Sequence, residues 1–546
     1  MLRMTGPPGP RAGSSWNDRI QIVRRCWAPM CETVVMRSRS RSRTSPRRRV
    51  DFTRIYFGKA SAEREVATDE ARFLRTYLDR WDLPRQVFTH EKFLILGPKG
   101  SGKSAAAFFV AGEWKRILGD HAVFASAVDF DELNRTQSPL YALDKKLVSE
   151  EVSSLSDAAW KLFIGIRLLD SLVADNGCNL CHDLQVLKFI DDLRAAGLAS
   201  DDYPQVLRSV RERRISISLP KLVSTEFGTK DSDSVSPVQL GDAILKILES
   251  AETASRHLLS IDGLDKAIGE NDAYWRTLAA LIRVGDSLCR RLQFVNNQSI
   301  YILIMCRSDV FRHIKFSDAP KIASDSGVQM EWGTEAQNPL DVQLWEYIAR
   351  KADVDIDRIL SLLPEYIEVG TGNKIYTPKF LLEFSRYTPR DMSLLFTQIQ
   401  RQAVTYKPVT QTQVRAGADR FASNDLLNEI QSEAVGLLPD RVLDRFEQIL
   451  SALPSNIFKK SDLQQAMRGA GITTGKDISV DRFGEYLFLQ GAIGNYRRES
   501  GYIQFYHRRN TAGFNREGPW MLQTGLTYAL NVPFARAEKR RGASDK

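Results

Sequence analysis

Phe93-Leu94-Ile95-Leu96-Gly97-Pro98-Lys99-Gly100-Ser101-Gly102-Lys103-Ser104 sets a complete GxxxxGK[ST] loop directly behind a short apolar run. A polyphosphate needs several backbone N–H donors converging on it, and glycines at 97, 100 and 102 allow bends and close approach that a Cβ would block. Pro98, Lys99 and Ser101 complete the loop. Lys103 supplies a point charge for the β and γ phosphates, and Ser104 offers a hydroxyl to Mg²⁺. The helix opening at Ala105-Ala106-Ala107 aims its positive end at the same charge. The stretch therefore predicts a strand, a phosphate-binding loop and a helix.

Outward from that loop the chain reads as α/β. A second apolar run, Ala122 to Val128, follows at strand spacing and ends in Asp129. Two more follow: Leu258-Leu259-Ser260-Ile261-Asp262, and Ile300-Tyr301-Ile302-Leu303-Ile304-Met305-Cys306 ahead of Arg307. Buried strands ending in polar residues fit a doubly wound, mainly parallel P-loop NTPase sheet. The text between about 133 and 256 is helical and polar, too long for a plain crossover, and predicts a helical insertion. Residues 339–403 read as helical, with Pro339 and Thr388-Pro389-Arg390-Asp391 opening helices. The end reads as three helices (Arg441 to Leu453, Lys460 to Met467, Val480 to Gln490) and two strands (Ala492 to Tyr496, Tyr502 to Tyr506), which suggests a winged helix. The expected division is a tail at 1–50, an ATPase core at 51–335, a helical lid at 336–437, a winged-helix-like α+β domain at 438–532 and a basic end at 533–546.

The 546 residues allow two or three cores. The formal charge of +9 is local: residues 1–50 hold twelve arginines and two acids, leaving the other 496 residues at −1. A pI near 9 is thus no argument that the body binds nucleic acid. The Arg/Ser-rich tail should be disordered; it fits a nucleic-acid arm, a transit peptide, or residues upstream of a start at Met30 or Met36. No apolar run approaches the roughly 20 residues of a membrane span, and six scattered cysteines fit a reducing cytoplasm. Cys178-Asn179-Leu180-Cys181-His182 spells a c-type haem pattern, but no secretory signal accompanies it and no further cysteine pair completes a zinc site, so neither haem nor zinc is expected.

Asp262 is the expected partner of Ser104 on Mg²⁺, from a strand placed beside the loop strand. Its separation from Lys103, 159 residues, is explained by the insertion. Gly263 stands where many P-loop ATPases carry a catalytic acid. Asp265 either orients the attacking water or caps the next helix at Lys266. Arg307 either senses the γ-phosphate or pairs with Asp309, and Arg390 reaches the phosphates when the lid closes or remains a surface arginine. An NKxD guanine reader is missing, since Asn373-Lys374 continues with Ile375-Tyr376.

The order GPKGSGKS, LLSIDGLD, YILIMCRSD, TPRD and winged helix resembles the AAA+ and STAND side of the P-loop ATPases. More narrowly it is similar to a poorly characterised family of bacterial ATPases that opens with an FG…AE segment, matched here by Phe57-Gly58 and Ala62-Glu63. Thr524-Gly525-Leu526 with Ala529-Leu530 matches the family's closing segment. The resemblance spans about 50–532. It implies ATP rather than GTP, an adenine site near Phe57 and Gly58, and Arg307 and Arg390 as first and second sensors. The DGxD form at 262–265 departs from the AAA+ pattern and implies slow hydrolysis, a switch rather than a motor. The expected function is a Mg-ATP-dependent switch whose hydrolysis drives lid closure or assembly. Two alternatives stay open. One is a nucleic-acid-binding regulator using Arg497, Arg498, Arg508 and Arg509 beside Tyr502, Tyr506 and His507, with ATP as a structural ligand; its counter-reading packs this module on the core or on a protein partner. The other is a self-associating signalling or anti-phage scaffold.

Overall fold

In the computed structural model the described residues are 50–129, 149–198, 206, 210, 217, 219–220, 235–263, 272–294, 298–314, 316–333, 336–369, 373–435, 437–473, 475, 477–508 and 512–535. The Arg/Ser tail, the basic end, Asp265 and Arg509 lie outside them.

Five parallel strands form the central sheet: β1 (Leu94–Gly97), β2 (Val123–Asp129), β3 (Arg256–Asp262), β4 (Ile300–Arg307) and β5 (Gly327–Gln329), in the order β2-β3-β4-β1-β5. Strand pleating divides their side chains between two layers. Leu94, Leu96, Leu259, Ile261, Ile302 and Ile304 enter one core, while Ile95, Leu258, Tyr301, Leu303 and Met305 enter another on the opposite face. Burial on both faces is why β1, β3 and β4 read as continuous apolar runs rather than alternating ones, whereas the edge strand β2 is largely exposed beyond Val123. Each fully buried Leu or Ile contributes about 1.5–3 kcal/mol.

The sheet order corrects one expectation. β3 is not beside the loop strand: β4 lies between them, paired to β1 on one side and β3 on the other. Asp262 still reaches the loop, because the carboxyl ends of all these strands open to the same edge, where Gly97 is in register with Arg307 and Asp129 with Asp262.

The helices among the described residues include α1 (Ala62–Thr68), α2 (Lys103–Leu118), α3 (Ser149–Val173), α4 (Pro237–Glu249), α5 (Asp272–Leu292), α6 (Leu344–Ala352), α7 (Pro389–Gln400), α8 (Leu427–Glu433) and α9 (Val480–Leu489). The described part of the insertion is helical, and α3 and α4 lay Trp160, Phe163, Ile164, Ile244 and Leu248 into the same core as α5 and one sheet face. Trp160 Nε1 donates to the Thr277 carbonyl of α5 at 2.8 Å, satisfying its one polar atom in that core.

The segment expected to be all-helical at 339–403 holds a two-stranded hairpin, β6 (Tyr366–Val369) with β7 (Asn373–Tyr376). Its β-branched and aromatic residues, Tyr366, Ile367, Val369, Ile375 and Tyr376, fit a pleated surface better than a helix. The C-terminal helices pack with a four-stranded sheet, β8 (Ile457–Phe458), β9 (Ile493–Arg497), β10 (Tyr502–Phe505) and β11 (Trp520–Leu522), ordered β10-β9-β11-β8. This is the winged-helix arrangement, enlarged by two short strands. One continuous core links Phe52 and Phe57, lid residues such as Trp345 and Phe396, and winged-helix residues such as Phe483 and Trp520.

A candidate nucleotide cleft

The loop after β1 folds as its glycines require. Gly100 and Gly102 have φ of +81° and +96°, backbone that side-chain-bearing residues rarely adopt, and Gly102 caps α2. Trp332 Nε1 donates to the Ser101 carbonyl at 2.7 Å and fixes the loop from behind. Lys103 is buried, its ammonium donating to the Gly97 and Pro98 carbonyls at 3.2 and 3.1 Å. Ser104 Oγ donates to the Asp262 carboxylate, and the other Asp262 oxygen accepts from Gly263 N at 2.8 Å. Gly100, Gly102, Lys103, Ser104, Asp262 and Arg390 all line one cleft. A hydroxyl and a carboxylate in contact are the hard oxygen donors that suit Mg²⁺, so the residues present fit that ion.

The lid meets the loop directly. Thr388 accepts the Asp391 N–H at 3.1 Å, capping α7, and the Arg390 N–H at its first turn donates to the Gly100 carbonyl at 3.3 Å. The Arg390 guanidinium donates to the Ala60 carbonyl at 3.0 Å and to Glu429 of α8 at 2.6 Å. Glu429 also takes Lys99 of the loop at 3.2 Å. Burial works to raise the Glu429 carboxyl, but Arg390 and Lys99 outweigh it and hold the group below its usual range. One lid carboxylate thus joins two cations, one from the loop and one from the lid.

Arg307 takes the Asp309 pairing that the sequence left open. Its side chain is 2% exposed, forks onto both Asp309 oxygens, and lies 3.8 Å from Glu433. Arg386 completes the cluster, donating to Glu433 at 3.0 Å and to Asp391 at 3.3 Å, while Gln490, just past α9, donates to Asp309 at 2.9 Å. Burial would raise Asp309, but Arg307 and the Gln490 bond hold it below its ordinary value. Arg307 is not among the residues lining the cleft. Phe57 is likewise placed in the core, against Phe52 and Phe396, whereas Lys59 and Ala60 just after it do line the cleft. Gly58 lies beside Tyr347, Lys351 and Ser393.

Residues that the motif reading missed also face the cleft: Glu65, Tyr77, Trp332, Tyr347 and Lys351. Nothing in their local sequence marks them, because they come from three separate segments. In the winged helix, Arg508 pairs with Glu383 and lies over Tyr387, and Tyr506 is buried, so both face the rest of the protein. Arg497 and Arg498 are exposed at the hairpin tip. Cys178 and Cys181 are free thiols, and burial pushes the Cys178 thiol up. Among the described residues no helix is long and apolar enough to cross a membrane.

No protein-family model matches the sequence, and no curated protein matches it. Solved structures do align. An Aeropyrum pernix ORC1 protein in complex with DNA aligns over 84% of this chain and 94% of its own, at 11% identity and a TM-score of 0.35. The Thermotoga maritima RuvB Holliday junction branch migration motor aligns over 85% and 100%, at 12% identity and a TM-score of 0.29. C. elegans PCH-2 aligns over 62% and 66%, at 11% identity and a TM-score of 0.26.

Proposed function

We propose that this chain binds Mg-ATP in the cleft and works as a slow nucleotide-dependent switch of the AAA+/STAND kind. The observation that carries the reading is the convergence, in one cleft, of the glycine loop, Lys103, the Ser104–Asp262 pair and Arg390 from the lid. Ser104 and Asp262 would hold Mg²⁺, which supplies charge neutralisation for the phosphates when bound. Lys103 would exchange the Gly97 and Pro98 carbonyls for phosphate oxygens. Arg390 donates through its NH1 to Glu429, and a phosphate would compete with that carboxylate for the guanidinium. Release of Glu429 from Arg390 changes what fastens α8 to α7, so nucleotide state is read as lid position. Gly263 in place of an acid supports slow turnover, and Asp265 is the candidate to orient water.

Lys103→Ala should weaken Mg-ATP binding by roughly 10- to 100-fold and abolish phosphate release. Calorimetric titration and a phosphate-release assay read this, and unchanged binding and turnover would refute the reading. Among the described arginines of the winged helix named above, Arg497 and Arg498 are the ones placed for a nucleic-acid role, given the inward placement of Arg508 and Tyr506. Self-association with nucleotide is tested by mass measurement with and without Mg-ATP.

A further inference from the structure

We infer that Glu65 and Lys351 form the base-reading element of the cleft and select the amino-purine edge of adenine; this rests on the nucleotide reading above. Glu65 comes from α1 and Lys351 from α6, and their side chains meet at 2.6 Å. Both are almost wholly buried, 7% and 4% exposed, yet both line the cavity that holds the phosphate loop. A buried ion pair is a poor way to gain stability, because desolvation cancels most of the attraction and an apolar pair of similar volume serves as well. One that borders a cleft instead of solid core is placed to meet a ligand.

The surroundings suit a flat heterocycle. Tyr77, Leu78, Trp332 and Tyr347 line the same cavity, giving apolar and aromatic faces around two fixed polar groups, the usual make-up of a small-molecule site. Gly58 packs against the same group of side chains. Its φ is +93°, and a Cβ there would come within 3.0 Å of Ser393 Oγ, 3.3 Å of Tyr347 Oη and 3.7 Å of Lys351 Cδ. With its phosphates on the loop at 97–104, a nucleotide must extend its base along the cleft, and this pair is buried there, unlike Lys59 and Glu63, which line the same cavity but are exposed.

The hydrogen-bond inventory decides between purines. Adenine presents an amino donor beside a ring-nitrogen acceptor, the complement of one carboxylate oxygen and one ammonium. Guanine presents the reverse order, an O6 acceptor beside the N1–H donor, so a carboxylate and an ammonium held in fixed places serve one order and not the other.

The test compares ATP, GTP, purine riboside triphosphate, which lacks the 6-amino group, and inorganic tripolyphosphate, each with Mg²⁺, on the full chain. On the unaltered protein, ATP should bind about 10-fold or more tighter than either other nucleotide. Glu65→Gln and Lys351→Met should shrink that preference while leaving tripolyphosphate affinity within about twofold. Equal binding of ATP and purine riboside triphosphate would overturn the inference without using any variant. So would variants that weaken ATP and tripolyphosphate in parallel, as a mere clasp between α1 and α6 predicts. If the protein binds none of the four, tripolyphosphate included, the nucleotide reading itself fails; if tripolyphosphate binds and the base makes no difference, only the assignment of Glu65 and Lys351 fails.

Discussion

Two charged clusters sit near the carboxyl edge of the same sheet, and they are built for opposite purposes. In the cleft, Lys103, Ser104, Asp262 and Arg390 are held by contacts that a ligand can replace. Behind it, Arg307, Asp309, Arg386, Asp391, Glu433 and Gln490 satisfy one another in a buried network drawn from β4, the lid and the winged helix. Burial and the two acids pull Arg386 in opposite senses, with Glu433 and Asp391 prevailing over desolvation to keep it charged. The same residue type, arginine at the end of an element, thus lines the cleft at 390 and is a buried tie at 307. Accessibility, not chemistry, separates them.

The largest expected effect lies in this buried cluster. Arg386→Met should cost about 3–5 kcal/mol of folding stability, because it strands Glu433 and Asp391 as buried charges, and denaturant titration measures this. A cost under about 1 kcal/mol would mean that the network is not the tie described. β3 offers a second contrast, since it carries Asp262 at the cleft and His257 in the interior, bonded to Ser171 at 2.8 Å and 3.4 Å from Asp175. Burial pushes the His257 imidazole down to about 4, so the fold prefers it neutral. Above about pH 6.5 both folded and unfolded chains carry it neutral and nothing is lost. As pH falls from there toward about 4, the unfolded chain takes up a proton that the fold resists, and stability should drop by on the order of 2–3 kcal/mol before levelling. A His257→Gln variant should flatten that part of a pH-stability profile.

In the cleft the effects should be on ligands rather than folding. Asp262→Asn should raise the Mg²⁺ concentration needed for half-maximal ATP binding roughly tenfold, with little change in melting temperature. A large loss of stability instead would move Asp262 into the structural class with Asp309. Smallest of all, Arg497→Ala with Arg498→Ala should leave folding within about 0.5 kcal/mol. If the wing touches duplex DNA, the pair should lower the salt dependence of binding by about one phosphate contact each, measured by titration at several salt concentrations.

How far the sequence went depends on where the determining residues lie. The loop at 97–104, the strand ends at 262 and 307, and the helix start at 389 are legible because each is a local pattern whose backbone geometry follows from a few adjacent residues. The hairpin at 366–376 escapes notice where short strands interrupt a helical text, and the strand order escapes it because apolar runs say that strands are buried but not which are neighbours. Phe57 illustrates a different limit: its motif is local, while packing sends the ring to the core and leaves Lys59 and Ala60 lining the cleft.

By itself the sequence determined that a glycine loop, a lysine and a serine would stand at the junction of a buried strand and a helix, since only local sterics and hydrogen-bond needs are involved. Tertiary structure alone decided that Asp262 meets Ser104 across an intervening strand, that Arg307 is sealed while Arg390 is not, and that Glu65 and Lys351, 286 positions apart, border the same cavity. Those outcomes rest on which groups lose their water when distant segments pack, and desolvation is a property of the assembled chain rather than of any stretch within it.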